Sequence, residues 1–154
     1  MDILKKNFFE LFNIEIAIDV NKSELDEKVK VLQNKFHPDK FSSGSDFEKR
    51  LALQISSHIN DGYKILGDIV RRIEYILKIN NFVKDESKTI NDINFLQEQI
   101  EYSELVESLN DNFDSKIIEK SLSSIKSLLK TTIDSIKSSF ESNDFENVWQ
   151  NLSK

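Results

Sequence analysis

The segment His37-Pro38-Asp39-Lys40 contains one of only two histidines in the 154 residues of this chain. An imidazole two residues before a carboxylate could form part of a metal site or of a catalytic dyad. Two ligands do not close a zinc coordination shell, no nucleophile is marked beside the pair, and the chain has no glycine-rich phosphate loop. These residues therefore disfavour an enzyme and a metal site. The simplest interpretation is a turn in which Pro38 stops a helix and Asp39 bonds the backbone.

The second histidine and the cysteine count limit the possible chemistry further. His58 lies near an apolar stripe that includes Leu51 and Ile55, and this position predicts a partly buried structural residue. The chain has no cysteine, which excludes disulfides, thiolate zinc sites and iron–sulfur clusters held by cysteine. We therefore predict no bound metal and no cofactor.

Two amphipathic helices must position the turn. Before it, apolar residues recur at i, i+4, i+7 and i+11, one face of a helix: Leu25, Val29, Leu32 and Phe36. Ser23 and Asp26 look like a capping box that begins this helix, and Ser45 with Glu48 is a second box beyond the turn. A four-residue repeat then predicts a helix over 46–66: Phe47, Leu51, Ile55, Ile59 and Tyr63. Two helices of similar length joined by a short loop predict an antiparallel hairpin.

The rest of the chain also favours helices, since it has only one proline and three glycines in all. Gly67 is a plausible cap, and Ile69 to Leu77 form another short helix. Residues 80–91 are polar without periodicity, so we predict a linker there between domains 1–79 and 92–154. Three further helices are predicted at about 92–110, 114–139 and 144–152. The middle one has an apolar seam typical of a bundle: Ile118, Leu122, Ile125, Leu129, Ile133, Ile136 and Phe140.

The net charge of −6 is unevenly distributed, because residues 1–80 hold 13 basic and 13 acidic residues whereas residues 81–154 hold 8 and 14. An acidic second half argues against nucleic acid as a partner, although a solvated helix surface would look the same. No apolar run approaches the length of a membrane span. The first twenty residues carry four acidic side chains, unlike a transit peptide. We therefore predict a cytoplasmic protein.

His37-Pro38-Asp39 lies between two amphipathic helices, and further segments along the chain form a pattern with it: Asn7–Phe12, Phe36–Phe41, Ser43–Ser45, Ile59–Asn60, Arg72–Leu77 and Phe95–Glu101. In these segments the sequence resembles the HscB family of J-domain co-chaperones. The resemblance spans nearly the whole chain. The segments around Tyr75 and Phe95 separate this family from general J-proteins.

The resemblance implies an all-α fold: an N-terminal J-domain helical hairpin and a C-terminal three-helix bundle in an L-shaped two-domain arrangement. It also implies two protein partners in iron–sulfur cluster assembly. The J-domain engages a DnaK-type ATPase chaperone, HscA in bacteria, and stimulates ATP hydrolysis, whereas the bundle binds the scaffold protein IscU. The expected chaperone-binding residues are His37, Pro38 and Asp39, with electrostatic support from Lys28, Lys35 and Lys40.

The scaffold-binding surface can also be approached from helical geometry. At 100° per residue, one face of the helix at about 92–110 carries the residues expected to meet the bundle: Phe95, Tyr102, Leu105, Val106 and Leu109. Ile93, Leu96 and Ile100 lie on roughly the opposite face, continuous with Glu104 and Glu107. Such an apolar stripe bordered by acids is typical of a partner surface, unless the J-domain or core packing covers it. The family's scaffold-binding face corresponds to the same stripe: Leu96, Ile100, Glu101 and Glu104.

Several positions depart from the family pattern. Asp68 replaces a frequent proline, Gln97 replaces a commonly apolar residue, and family members usually continue beyond Lys154. The cysteine-rich zinc segment of many mitochondrial members is absent, which favours a bacterial protein. Two alternatives remain at this stage: a J-domain co-chaperone with a different client, and a plain helical oligomerisation module.

Overall fold

The computed structural model describes residues 3–83, 93–111 and 115–153. All regular secondary structure in these ranges is helical, and the chain divides into two compact units, Met1–Asn81 and Phe82–Lys154. The first unit contains four α-helices: α1 Phe8–Phe12, α2 Lys22–Phe36, α3 Asp46–Gly67 and α4 Ile69–Ile79. It also contains two short 3₁₀ helices, Ile3–Lys5 and Pro38–Phe41. The second unit contains three: α5 Ile93–Asp111, α6 Ser115–Glu141 and α7 Phe145–Leu152.

Side chains that cap the exposed backbone N–H groups determine where the helices of the first unit begin. The predicted box at α3 is confirmed: Ser45 Oγ accepts from the Glu48 N–H, and Glu48 Oε2 accepts from the Ser45 N–H at 2.8 Å. These bonds to Ser45 lower the pKa of Glu48. The predicted box at α2 is wrong. Asn21 Oδ1 accepts from the N–H groups of Ser23 and Glu24 instead, because asparagine is among the strongest N-cap residues.

The predicted antiparallel pair of α2 and α3 is present, and their facing sides supply much of the core. Gln33 Nε2 donates to Asn60 Oδ1 at 2.9 Å across the pair. The predicted helix over 46–66 is confirmed, but the two helices are not of similar length, since α2 has 15 residues and α3 has 22. Gln33 is near the end of α2, whereas 14 residues of α3 precede Asn60, so the first turns of α3 extend past α2. Phe47 was predicted to lie on the buried stripe, but it is 69% exposed for this reason.

Helix α1 packs on α3 and α4 through aromatic side chains. Phe9 and Phe12 are fully buried, and the Phe8 N–H donates to the Tyr75 hydroxyl at 3.0 Å. The Phe8 ring lies 4.9 Å from the ring of Tyr75 and 5.0 Å from that of His58. His58 is half-buried here, which confirms its predicted structural role.

The junction between α3 and α4 has no glycine cap, so the prediction for Gly67 is wrong. Helix α3 continues through Gly67, and Asp68 then caps α4 by accepting from the Arg71 N–H at 2.9 Å. This cap gives a physical reason for the aspartate that departs from the family pattern. The buried Arg72 donates through Nη1 to the Leu66 carbonyl at 2.5 Å and so satisfies the end of α3. Burial lowers the pKa of Arg72, and two nearby aspartates oppose that shift.

Gly62 lies on the face of α3 against which α1 packs. A Cβ atom there would lie 2.8 Å from Cδ1 of Phe8 and 2.9 Å from Cε2 of Phe12. Replacing a helical glycine with alanine ordinarily stabilises a protein by about 1 kcal/mol. For Gly62→Ala we expect the opposite, a loss of about 1–3 kcal/mol, because the aromatic rings cannot move aside without repacking.

Gly67→Ala is the matched control, because a Cβ at this position would meet nothing within 4 Å. We expect Gly67→Ala to be neutral or to stabilise by up to about 1 kcal/mol. Urea unfolding of both variants, followed by circular dichroism, measures the difference. Equal effects of the two substitutions would contradict the close approach of α1 at Gly62.

In the second unit, α6 and α7 form an antiparallel hairpin. Asn143 takes a left-handed conformation between them, and two asparagines of α7 then bond serines of α6: Asn147 to Ser139 at 3.1 Å and Asn151 to Ser135 at 3.2 Å. The predicted seam of α6 is buried at Ile136 but exposed at Leu122, Ile125 and Leu129. The prediction is wrong over that part because α7 has only eight residues and reaches only the end of the 27-residue α6.

Candidate functional site

The exposed turn between α2 and α3 has a well-defined backbone. Helix α2 ends at Phe36, and Pro38 opens a 3₁₀ helix. A backbone N–H at the first position of a helix has no partner within the helix, so the N–H that proline lacks costs no hydrogen bond there. His37 Nδ1 accepts from the Asp39 N–H at 3.3 Å, and the Lys40 N–H donates to the His37 carbonyl at 3.0 Å. The side chains of His37 and Asp39 are both exposed. The sequence therefore folds into a fixed backbone that presents an imidazole and a carboxylate to solvent.

The contact between the two side chains is suited to recognition more than to catalysis. His37 Nδ1 lies 3.5 Å from Asp39 Oδ2. Nδ1 can accept the Asp39 N–H only in the neutral tautomer that carries its proton on Nε2, and it can donate to the carboxylate only when Nδ1 itself carries a proton. An exposed pair at this distance contributes little to stability.

The predicted basic residues differ in their surroundings. Lys35 and Lys40 are exposed close to the turn, and Lys35 Nζ lies 5.4 Å from the centre of the Phe36 ring. Lys28 is partly buried: its ammonium donates to the Asn13 carbonyl at 2.6 Å and pairs with Glu24 at 2.6 Å. The structure therefore groups Lys35 and Lys40 with the turn. It shows Lys28 tying α2 to the segment after α1.

The sequence interpretation missed this anchoring role of Lys28. One signal was available, because Glu24 precedes Lys28 by four residues, the spacing at which oppositely charged helical residues meet. The other partner is a backbone carbonyl 15 residues away, and no sequence pattern marks such a contact. The bond between Tyr75 and the start of α1 was likewise not predictable from spacing.

The predicted scaffold-binding residues lie on α5. Leu96 is 50% and Ile100 is 59% exposed, and Glu101 and Glu104 are exposed beside them. Ile93 is the first residue of α5, and its side chain lies outside the described residues. Val106 was predicted to face the bundle but is also exposed, whereas Tyr102 is half-buried. The side chains of the other three residues predicted to face the bundle lie outside the described residues: Phe95, Leu105 and Leu109.

Within residues 3–83, 93–111 and 115–153, no group of three or more His, Asp or Glu side chains could hold a metal ion. Over the same part of the chain, no helix is both long enough and apolar enough to cross a membrane.

An exposed His-Pro-Asp turn joining two antiparallel helices, in an all-α chain with a second helical unit, defines a co-chaperone of the J-domain class. The structure is similar to that of the chaperone HscB from Vibrio cholerae, with a TM-score of 0.84 and 28% identity over 95% of this chain and 88% of that one. It is also similar to the human co-chaperone protein HscB, with a TM-score of 0.78 and 28% identity over 96% and 74% of the two chains.

Sequence relatives define the family. A co-chaperone protein HscB homolog of Shewanella amazonensis is 42% identical over 104 residues, 67% of this chain and 60% of the relative. One from Colwellia psychrerythraea is 36% identical over 126 residues, 81% of this chain and 70% of the relative. This chain belongs to the HscB co-chaperone family. No family model matches it, and it spans less than two thirds of the length of the Shewanella relative.

Proposed function

We propose that this protein stimulates the ATPase of a DnaK-type chaperone, HscA, and delivers the scaffold protein IscU to it during cytoplasmic iron–sulfur cluster assembly. The observation that carries the proposal is the turn His37-Pro38-Asp39, whose backbone is held by internal hydrogen bonds while the side chains of His37 and Asp39 are exposed. Such a turn can dock without the entropic cost of ordering a loop. Membership of the HscB family supports the choice of partners.

The mechanism requires no chemistry from the co-chaperone itself. Docking of the turn stabilises the hydrolysis-competent arrangement of the chaperone, because the turn makes contacts there that it does not make in the resting arrangement. His37 and Asp39 act by recognition, and the attacking water and the phosphates belong to the chaperone. The protein is accordingly an activator and not an enzyme.

The two units have separate roles in this proposal. Residues 1–79 form the J-domain that docks on the ATPase, and residues 92–154 hold IscU, with residues 80–91 as the linker between them. The exposed apolar pair Leu96 and Ile100 is the centre of the scaffold site, and Glu101 and Glu104 form its acidic rim. Ile93, three residues before Leu96, belongs to the same stripe by helical periodicity. Tethering of both partners raises the effective concentration of IscU near the chaperone.

Steady-state ATPase measurements test the proposal. Adding the 154-residue chain to HscA should raise the rate at which HscA hydrolyses ATP, and IscU should raise that rate further in the presence of the co-chaperone. A pull-down from bacterial cytoplasm separates the alternatives. Recovery of IscU together with a DnaK-type chaperone supports the proposed role, recovery of many unrelated clients indicates a general J-protein, and self-association alone indicates an oligomerisation module.

The exposed lysines beside the turn should speed docking on an acidic chaperone surface. We expect the double variant Lys35→Glu/Lys40→Glu to lower the association rate with HscA about tenfold or more at low salt. The association rate should also depend less on salt concentration. Salt screens the electrostatic attraction between the lysines and the chaperone, and the variant no longer has that attraction. Stopped-flow or biosensor kinetics at several salt concentrations measure both effects.

The control for the lysine variant changes the same number of charges elsewhere. Lys64→Glu/Lys78→Glu alters two exposed lysines, one near the end of α3 and one near the end of α4. It changes the net charge equally but leaves the turn untouched, so its association rate should fall much less. Equal slowing by both variants would mean that overall charge, and not the position of Lys35 and Lys40, governs the association.

A further inference from the structure

An apolar side chain lies on the charged flank of α2. Val31 is 65% exposed, three residues after Lys28 and four before Lys35. At 100° per residue, these three positions fall within about 60° of one another around the helix axis. Val31 is about 9 Å along the axis from His37, given a rise of 1.5 Å per residue. It therefore shares a flank with Lys35 and lies close to the exposed turn.

Folding does not account for a valine at this position. The buried residues of α2, including Leu25 and Val29, lie on a different face of the helix. A β-branched side chain is a poorer helix former than alanine, lysine or glutamate, so Val31 lowers helix stability and, being 65% exposed, gains little burial in return. Single exposed apolar residues are common, and it is the location of this one that gives it meaning.

The surroundings of Val31 resemble the centre of a small protein interface. Lys35 and Lys40 place exposed positive charges close to the turn. The ammonium of Lys28, in contrast, is already paired with Glu24 and bound to the Asn13 carbonyl. Interfaces commonly combine a desolvated apolar centre with a charged rim. The rim accelerates encounter, and the apolar centre slows dissociation.

We propose that Val31 is the apolar centre of the surface that docks on the ATPase chaperone, where it fills an apolar depression bordered by acidic groups. This inference rests on the proposed function and deepens it. Val31 determines residence time on the chaperone and selects a partner with an apolar spot beside its acidic surface. The turn at His37 remains responsible for activating hydrolysis.

The test compares Val31→Ala with Val31→Met in the whole 154-residue chain. Alanine removes most of the apolar side chain and is a better helix former, so the variant should fold at least as well. We expect Val31→Ala to raise the co-chaperone concentration for half-maximal stimulation of HscA about five- to tenfold, through faster dissociation. Maximal stimulation should be unchanged. Val31→Met keeps the apolar area and should stay within about twofold of the unsubstituted protein.

Salt provides a second measurement, because an apolar contact is not screened whereas a charged one is. The effect of Val31→Ala should persist at high salt, and the effect of Lys35→Glu should fade. Val70→Ala, on the exposed side of α4, is the matched control and should leave half-maximal stimulation unchanged.

The outcomes separate this inference from the function on which it rests. Stimulation by the unsubstituted protein with no change in Val31→Ala would overturn the role of Val31 and leave the proposed function intact. Equal losses in Val31→Ala and Val31→Met would also overturn it, since the apolar area would then be irrelevant. If the unsubstituted protein does not stimulate HscA at all, the proposed function itself is wrong.

Discussion

His37→Gln should reduce the stimulation of HscA to the basal ATPase rate while the protein remains folded. The side chain of His37 is exposed, and its bond within the protein is a 3.3 Å contact from the Asp39 N–H to Nδ1. Exposed substitutions usually change stability by less than about 0.5 kcal/mol, so the melting temperature should hardly move. The loss of activity follows because glutamine cannot place an imidazole ring at the same point of the turn.

The other histidine supplies the control. His58→Gln makes the same chemical change at a half-buried position in contact with the Phe8 ring. It should lower the melting temperature, because the ring contact is lost, but it should keep full stimulation at temperatures where the protein is folded. ATPase titrations and melting curves of both variants separate the two roles. Full stimulation by His37→Gln would rule out the proposed J-domain mechanism.

The second large effect is expected from Leu96→Ala/Ile100→Ala. A buried apolar anchor at an interface is worth about 2 kcal/mol or more, so the affinity for IscU should fall at least tenfold. Both side chains are half or more exposed in the free protein, and their truncation should therefore create no cavity. If they were core residues, each substitution would cost about 2–5 kcal/mol of stability. Calorimetric titration with IscU and thermal unfolding measure the two quantities separately.

Helix α6 offers a control of similar exposure. Leu122 and Ile125 are 50% and 46% exposed, so Leu122→Ala/Ile125→Ala removes a comparable apolar area from the same unit. This control should keep its affinity for IscU. Intrinsic stimulation of HscA without IscU should be unchanged in both double variants, since neither alters residues 1–79. A stable α5 variant with normal IscU affinity would show that the scaffold binds elsewhere.

The acidic rim should behave differently from the apolar pair. Glu101 and Glu104 are exposed, and exposed charges at the edge of an interface act mainly on the rate of association. Each single change to glutamine should weaken IscU binding less than the apolar double variant does. The effect should fade as salt is added.

Local chemistry determined the parts of this protein that could be predicted from its sequence. Pro38 ends α2 because its ring disfavours helical geometry at the preceding residue, and the box of Ser45 and Glu48 begins α3 because both partners lie within one helical turn. The order of the helices and the exposed turn follow from such short-range rules. Periodicity likewise placed Leu96 and Ile100 together, one turn apart on α5.

Only the tertiary structure decided which apolar positions are covered and which charges are already paired. Phe47 is exposed because α3 extends past α2, and Leu122 is exposed because α7 reaches only the end of α6. The ammonium of Lys28 is held by a carbonyl that follows α1. Burial and pairing depend on what lies opposite a residue in space. A repeat along one helix cannot specify the length or the position of the helix that faces it.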